Sequence, residues 1–216
     1  PYRGCEHGCI YCYARPTHEY LDLSPGLDFE TQIFVKRDAP RLLRQELGRA
    51  SWEPSLIGMS GVTDCYQPLE RRLEVTRQCL EVLAEFLNPV SIVTKSRLIT
   101  RDVDLLRELA EHEAASVAIS LTTLDKELAR VMEPRAAQPL GRLATIRHLA
   151  AAGVPVGVML APIIPGLTDH EVPALLAAAR EAGASFAAYS MLRLPFGVKQ
   201  LFQDWLRNHY PGREKR

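Results

Sequence analysis

Short apolar runs alternate with longer amphipathic stretches along most of this chain. The runs are rich in small and β-branched residues, as strands are when both faces of a sheet are covered. They fall at residues 55–60, 90–95, 116–122, 154–164 and 184–192. The alternation predicts repeated β/α units around a parallel sheet.

The stretches between the runs repeat apolar residues at three- and four-residue steps, which predicts helices with one buried side. These stripes lie at residues 39–48, 69–87, 105–109, 140–150 and 172–179. Gly153 and Gly183 follow two of them, where a left-handed C-cap residue is expected. Thr168 and Glu171 have the spacing of a capping box. An amphipathic helical tail, residues 197–216, is expected to close one end of the sheet.

Length and charge narrow the class of protein. With 216 residues the chain is expected to form a single domain with a continuous core. Lys plus Arg equals Asp plus Glu at 26 each, so the net charge gives no reason to favour nucleic acid or an acidic membrane, although a local patch is still compatible with binding. No apolar run approaches the roughly 20 residues that span a bilayer, and no signal-peptide layout is present. We expect no membrane partner.

Three of the five cysteines are crowded into the first twelve residues: Cys5, Cys9 and Cys12. An odd count with this crowding does not suit a secreted disulfide framework and favours the reducing cytoplasm. The C-x3-C-x2-C spacing suits three thiolates on three corners of a 4Fe-4S cluster, which leaves one iron open to a chelating small molecule. Gly4 and Gly8 allow the loop to fold tightly around such a cluster.

Two other interpretations of the cysteines stay open at this point. One is a structural zinc site completed by His7 or His18, although such sites often use two paired C-x2-C knuckles and no second knuckle follows. The other is a group of disulfides.

The cysteine loop resembles the signature of the radical S-adenosylmethionine (SAM) superfamily, in which an aromatic or apolar residue, here Tyr11, precedes the third cysteine. The resemblance implies that SAM chelates the open iron and that its reductive cleavage yields a 5'-deoxyadenosyl radical, which abstracts hydrogen. It also implies a partial (β/α)6 TIM-type barrel over residues 1–216, with the cluster loop in residues 1–20. The chain begins inside the motif, so a first strand is expected to precede Pro1 in a longer polypeptide.

The segment after the first apolar run resembles the Thr-Asp or Ser-Asp variant found in the spore photoproduct lyase-like branch of that superfamily. Ser60, Gly61, Thr63 and Asp64 stand there, and the resemblance implies that they meet the methionyl amine of SAM. The alternative is an ordinary β/α turn, because glycine and aspartate are common turn formers.

Three further segments carry the same resemblance. Lys95 ends an apolar run and would contact the SAM carboxylate, unless it only extends into solvent. Ser120, inside the next run, would meet the ribose or carboxylate of SAM, unless its hydroxyl binds the neighbouring backbone. Ile164 and Gly166 belong to a turn that would pack on adenine. In order, the phrases PYRGCEHGCIYCYARPTHEY, MSGVTDCYQPLE, VTKS, SLTTLD and PGLTDHE resemble a bacterial group in this branch.

The sequence indicates the family more clearly than it indicates the reaction. Spore photoproduct lyase returns hydrogen through a cysteine and tyrosines, but Gly61 stands where its donor cysteine would lie. Cys65 would replace that cysteine only if the loop turned it inward, and Tyr13 and Tyr189 are the other candidate hydrogen or electron relays.

The leading prediction is therefore a SAM-cleaving enzyme that abstracts hydrogen from a nucleic acid or a protein, with a DNA-repair-like reaction as one option. It would receive electrons from a donor such as flavodoxin or ferredoxin. A different class is a non-catalytic iron-sulfur protein for electron transfer or redox sensing. A nucleic-acid module using Arg71, Arg72 and Arg77 is a third, although neighbouring glutamates on the same helix favour a salt-bridged solvated face.

Overall fold

The computed structural model describes residues 1–212, so residues 213–216 of the predicted tail lie outside the described residues. Five parallel strands form a curled half-barrel sheet in the order β3-β4-β5-β6-β7. They are Ile57–Gly58 (β3), Val90–Thr94 (β4), Ala115–Ser120 (β5), Val156–Ile163 (β6) and Phe186–Met191 (β7). Each predicted apolar run overlaps one of them, which confirms the parallel β/α sheet.

A small antiparallel ladder near the amino terminus was not predicted. Tyr2–Arg3 (β1) pairs with Phe34–Val35 (β2). Two-residue strands are too short to leave a periodic signal in the sequence. The ladder leads directly into the cysteine loop, and the buried Tyr2 hydroxyl anchors it by donating to the carboxylate of Glu70.

The helices lie where the apolar stripes predicted them, with two additions. They are Leu27–Thr31 (α1), Ala39–Leu47 (α2), Glu70–Leu73 (α3), Val75–Glu85 (α4), Val103–Glu111 (α5), Lys126–Met132 (α6), Pro139–Ala151 (α7), Val172–Glu181 (α8) and Val198–His209 (α9). The additions are α1 and α6; Asp125 starts α6 by accepting hydrogen bonds from the amides of Glu127 and Leu128. Gly153 and Gly183 have φ of 81° and 102°, which confirms the left-handed C-caps.

The stripe over residues 69–87 predicted one helix, and the structure divides it into α3 and α4 at Glu74. Glu74 has φ of 53°, the left-handed conformation. The buried Glu70 carboxylate accepts hydrogen bonds from the amides of Thr76 (3.0 Å) and Arg77 (3.3 Å). A carboxylate at these first amides satisfies groups that a helix start leaves open, so α4 begins anew.

The predicted capping box at Thr168 and Glu171 is wrong. The Thr168 hydroxyl accepts a hydrogen bond from the Ile164 amide at 2.9 Å and caps no helix. The Glu171 carboxylate accepts hydrogen bonds from the Thr123 hydroxyl and the Leu124 amide. Both side chains tie loops together at the carboxyl ends of the strands.

The main core lies between the sheet and its helices, with Ile92 and Ile119 among its buried strand residues. A second apolar cluster lies under the cysteine loop, where Phe202 and Trp205 of α9 pack near Tyr11. The tail helix therefore packs against the cysteine loop and α6, and its closure of one end of the sheet stays a prediction. Within residues 1–212 no helix is both long and apolar enough to cross a membrane.

Candidate active site

A cavity of about 580 Å³ opens at the carboxyl ends of the parallel strands. Sites gather at this edge in α/β barrels because the loops after successive strands converge there. Most residues that the sequence singled out line this cavity: Cys5, Cys9, Tyr11, Cys12, Tyr13, Ser60, Thr63, Asp64, Lys95 and Ser120. The cavity therefore brings together segments that lie more than a hundred residues apart in the chain.

The cysteine loop is wrapped tightly and held from beneath. Gly4 and Gly8 have φ of 85° and 72°, and a β-carbon at Gly8 would lie 2.9 Å from a carboxylate oxygen of Glu30. The buried Arg15 donates from Nε to the Cys9 carbonyl at 3.0 Å. Both glycines are therefore needed for the course of the backbone, which is the conformation that the sequence predicted for them.

The three thiols of the loop could serve as ligands of an iron-sulfur cluster. Cys5 and Cys9 are buried and Cys12 is half-buried, and all three face the same cavity. Burial raises the pKa of Cys9 to about 12 and also raises those of Cys5 and Cys12. Iron must displace these protons when it binds, since the thiolate is the ligand. Three ligands would leave a fourth iron open toward the cavity.

The histidines that would complete a zinc site have other partners. His7 Nδ1 lies 3.3 Å from the Asp64 carboxylate, and His18 Nε2 lies 3.0 Å from the Gln32 carbonyl oxygen. Across residues 1–212, no three His, Cys, Asp or Glu side chains lie close enough together to hold one metal ion. All five cysteines are free thiols, which contradicts the disulfide alternative.

Asp64 connects three of the segments around the cavity. Its carboxylate accepts hydrogen bonds from the Thr94 hydroxyl (2.7 Å), the Lys95 amide (2.8 Å) and the Tyr66 amide (2.9 Å), and it faces His7. Burial alone would raise the pKa of Asp64, but the charge and hydrogen bond of His7 and the other donors outweigh it and lower the pKa to about 2. Asp64 is therefore a fixed, ionised acceptor that holds the loop after β3 against the end of β4.

Lys95 and Ser120 meet inside the cavity. The Lys95 ammonium donates to the Ser120 hydroxyl at 2.7 Å and lies 5.6 Å from the centre of the Tyr11 ring. It is 3.9 Å from a carboxylate oxygen of Glu133. An ammonium has three donors, and the Ser120 hydroxyl takes only one of them. The side chain is therefore positioned to donate to a ligand in the cavity.

A buried ion pair beneath the cavity was not found by sequence reasoning. Glu133 and Arg142 are both almost fully buried and form a salt bridge, and Glu133 also accepts hydrogen bonds from the hydroxyls of Tyr11 and Thr122. Burial would raise the pKa of Glu133, but Arg142 and Lys95 outweigh it and lower the pKa to about 2. No local pattern marks these two residues, because they meet only through packing.

The predicted residues in the loop after β3 are tied to the cysteine loop. The Thr63 hydroxyl donates to the Gly4 carbonyl at 2.6 Å. The Tyr13 hydroxyl donates to the Gly61 carbonyl at 3.0 Å, and its side chain is 62% exposed at the cavity mouth. Ser60 lines the cavity.

Five predicted residues do not line the cavity: Gly61, Cys65, Ile164, Gly166 and Tyr189. Cys65 is fully buried in the main core, and its sulfur forms a hydrogen bond with the Ser60 hydroxyl at 3.5 Å. Tyr189 is 72% exposed on β7. Ile164 is buried beside the cysteine loop, and Gly166 has φ of 71° in its turn.

The remaining lining consists of residues that the sequence did not single out as SAM contacts or hydrogen relays. It includes His7, Ala14, Val93, Thr94, Met159, Ala161, Pro162, Ser190, Met191, Leu192, Arg193 and Pro195. Most lie at the carboxyl ends of β4, β6 and β7, and that location is the one signal that would have found them.

The family of the chain follows from a match to the radical SAM superfamily model over residues 1–179. The chain belongs to this superfamily, whose members characteristically use a 4Fe-4S cluster and SAM. The cofactors predicted from the cysteine loop are those of the family.

Among curated relatives, an uncharacterized protein of Mycobacterium tuberculosis is 42% identical over 212 residues, which are 97% of this chain and 62% of that protein. An uncharacterized protein of Methanocaldococcus jannaschii is 27% identical and covers 97% of this chain and 74% of its own length. The chain thus spans about three fifths of the length of the first of these relatives.

Solved structures share the fold. Spore photoproduct lyase in complex with dinucleoside spore photoproduct matches with a TM-score of 0.68 and 19% identity, over 98% of this chain and 59% of that one. SuiB of Streptococcus suis bound to S-adenosylmethionine matches with a TM-score of 0.60 and 13% identity, over 96% and 46%. At these identities the likeness establishes the partial barrel and nothing about the substrate.

Proposed function

We propose that the chain is a radical SAM enzyme core that holds a 4Fe-4S cluster on Cys5, Cys9 and Cys12 and abstracts hydrogen from a substrate. One observation carries the proposal. The three thiols share a single cavity with Asp64 and Lys95, which lie on two other loops. An electron carrier needs no cavity of this size beside its cluster, whereas an enzyme that binds an organic cofactor does.

When bound on Cys5, Cys9 and Cys12, a 4Fe-4S cluster would supply the electron for reductive cleavage of SAM, and the resulting 5'-deoxyadenosyl radical would supply hydrogen abstraction. The chain supplies position and charge for that chemistry. The Lys95 ammonium is proposed to bind the SAM carboxylate, and the Ser120 hydroxyl the carboxylate or ribose, because the two groups already lie 2.7 Å apart. Ser60, Gly61 and Thr63 are proposed to present polar groups to the methionyl amine.

Asp64 is proposed to act as a positioning residue for this site. Its carboxylate oxygens are engaged by Thr94, Lys95, Tyr66 and His7, so it orients the loops around the cofactor. Ile164 and Gly166, in the loop beside the cysteines, are proposed to pack toward the adenine end, and Tyr11 to support the cluster through its buried ring.

For the hydrogen relay we propose Tyr13 over Cys65 and Tyr189. Tyr13 lines the cavity at its mouth, where a substrate would approach. Cys65 is buried in the core and Tyr189 lies on the exposed face of β7. The substrate class proposed is a nucleic acid or a protein, in a lyase-like reaction of the spore photoproduct lyase branch, and flavodoxin or ferredoxin is the proposed type of electron donor.

The test is anaerobic reconstitution of the chain with iron and sulfide, followed by dithionite reduction with SAM and chromatography of 5'-deoxyadenosine. We expect the wild type to form it, and Cys9→Ala to lose both the cluster absorbance and the product. Cys79→Ala is the matched control, because Cys79 is a buried cysteine of α4 outside the loop. A stable wild-type cluster without SAM cleavage would overturn the proposed enzymatic function. It would favour an electron-transfer or redox-sensing protein.

A further inference from the structure

A second cavity of about 290 Å³ shares His7 with the candidate active site. Its lining is His7, Pro68, Arg71, Ser96, Arg97, Leu98, Arg135, Ala136 and Ala137. The lining contains three arginines and no carboxylate. These residues come from the cysteine loop, the start of α3, the segment after β4 and the segment between α6 and α7.

Two of the three guanidinium groups have no partner within the described part of the chain. Arg135 forms a salt bridge with Glu30 and donates to the Glu6 carbonyl. Arg71 and Arg97 donate no side-chain hydrogen bond and form no ion pair within residues 1–212. Their neighbour in sequence Arg77 differs, since it is paired with Asp102 and Asp104. The sequence predicted a salt-bridged face for Arg71, Arg72 and Arg77. Among the described residues, this prediction holds for Arg77 alone.

The three guanidinium side chains are exposed at one cavity, and together they create a positive potential that attracts an anion. The Ser96 hydroxyl adds a further donor, because its oxygen accepts a hydrogen bond from the Leu98 amide and its proton is left to donate. Donors that approach from several segments suit a tetrahedral oxyanion, and guanidinium groups bind phosphate oxygens in pairs.

We propose that this second cavity binds a phosphate group, held chiefly by Arg71 and Arg97 with the Ser96 hydroxyl. The phosphate belongs either to a small phosphorylated molecule or to the backbone of a nucleic acid. The site does not depend on the SAM chemistry proposed above, because neither arginine lines the larger cavity.

The first arm of the test titrates inorganic phosphate into the reconstituted chain by calorimetry at low salt. We expect saturable binding that Arg71→Gln or Arg97→Gln weakens about tenfold, and that the double variant abolishes. Arg72→Gln is the control, because Arg72 is exposed on the same helix and does not line the cavity. Absence of saturable heat up to about 10 mM phosphate, or equal affinity in the double variant, would overturn the proposal.

The second arm measures a fluorescent single-stranded oligonucleotide across a range of salt concentrations. If the source is a nucleic-acid backbone, the oligonucleotide binds more tightly than phosphate. The negative slope of log K against log salt should also become shallower by about 1.4 in the double variant, because two phosphate contacts are lost. Binding no tighter than phosphate supports a small phosphorylated molecule. Slower reduction by flavodoxin in the double variant, with no phosphate binding in the wild type, would assign this face to an acidic protein and overturn the proposal.

Formation of 5'-deoxyadenosine is measured in the same preparations. Phosphate binding is thus scored separately from SAM cleavage, and either result stands if the other fails.

Discussion

Lys95 places a positive charge inside the larger cavity. Its ammonium is held by Ser120 and faces Glu133, so its position is set before any ligand binds. A preorganised cation loses little freedom on binding a carboxylate, which makes it an effective anchor.

We expect Lys95→Met to raise the KM for SAM by about tenfold or more, since a hydrogen bond to a charged group is worth about 1.5–3 kcal/mol. The change should be larger in KM than in kcat, because the ammonium would bind SAM before and during the reaction. Steady-state formation of 5'-deoxyadenosine measures both. Lys199→Met, on the exposed side of α9, is the control, and an unchanged KM in Lys95→Met would refute the assigned contact.

Because Glu133 is buried and ionised, we expect the folded chain to lose stability in acid. Its pKa is lowered from 4.5 to about 2 by Arg142 and Lys95 against the opposing effect of burial. A lowered pKa stabilises the folded state above the unfolded value, and this contribution is lost as pH falls through the folded value. The free energy of unfolding should therefore drop between about pH 4.5 and pH 2, by on the order of 3 kcal/mol for this group.

Urea unfolding of cluster-free protein across that pH window provides the measurement. Glu133→Gln cannot titrate there, so its free energy of unfolding should fall less steeply than that of the wild type. Parallel curves for the two proteins would contradict the assigned ion pair.

At the scale of elements, the break between α3 and α4 is the clearest departure from the sequence pattern. The apolar stripe continues across residues 69–87, as one helix would require. Glu70 instead lies buried and accepts the first amides of α4, while Arg101 and the Tyr2 hydroxyl bind the same carboxylate. Long-range partners thus made a new helix start more stable than a continuous helix.

We expect Glu74→Gly to stabilise the chain by about 0.5–1 kcal/mol. Relief of the left-handed conformation at Glu74 is worth about 1–2 kcal/mol, and the greater freedom of glycine in the unfolded chain offsets part of it. The urea midpoint measures the change. Glu81→Gly, on the exposed side of α4, should be destabilising by about 1 kcal/mol. Destabilisation by both variants would contradict the strain at Glu74.

Across the whole molecule, the larger cavity joins the cysteine loop to the ends of β4, β5, β6 and β7. A ligand that fills it would bind the folded chain and not the unfolded one, so it should stabilise the entire domain. SAM at a hundred times its Kd should add about 2.7 kcal/mol, which for a chain of this length raises Tm by about 5–10 °C.

Thermal melting of the reconstituted chain with and without SAM tests this. Cluster-free protein should respond much less, because the open iron is missing, and Lys95→Met should respond less than wild type. An equal rise in cluster-free protein would show that SAM binds without the cluster and would contradict the proposed arrangement.

The sequence by itself determined the order of strands, most of the helices, the cysteine loop and the family. Local sequence patterns indicate these features. The patterns are alternating apolar runs, apolar residues at three- and four-residue steps, and three cysteines within a span of eight residues. Lys95 and Ser120 could also be found, because each lies at the carboxyl end of its strand, where parallel strands direct their functional groups.

The tertiary structure alone decided which side chains meet across long separations. The pairing of Glu133 with Arg142 and Tyr11, and the burial of Cys65, depend on how helices and loops pack on the sheet. Packing also decided that Arg71 and Arg97 have no carboxylate partner among residues 1–212, since an arginine has the same sequence pattern whether or not a carboxylate lies opposite. Packing of distant segments sets these contacts, and no local periodicity records it.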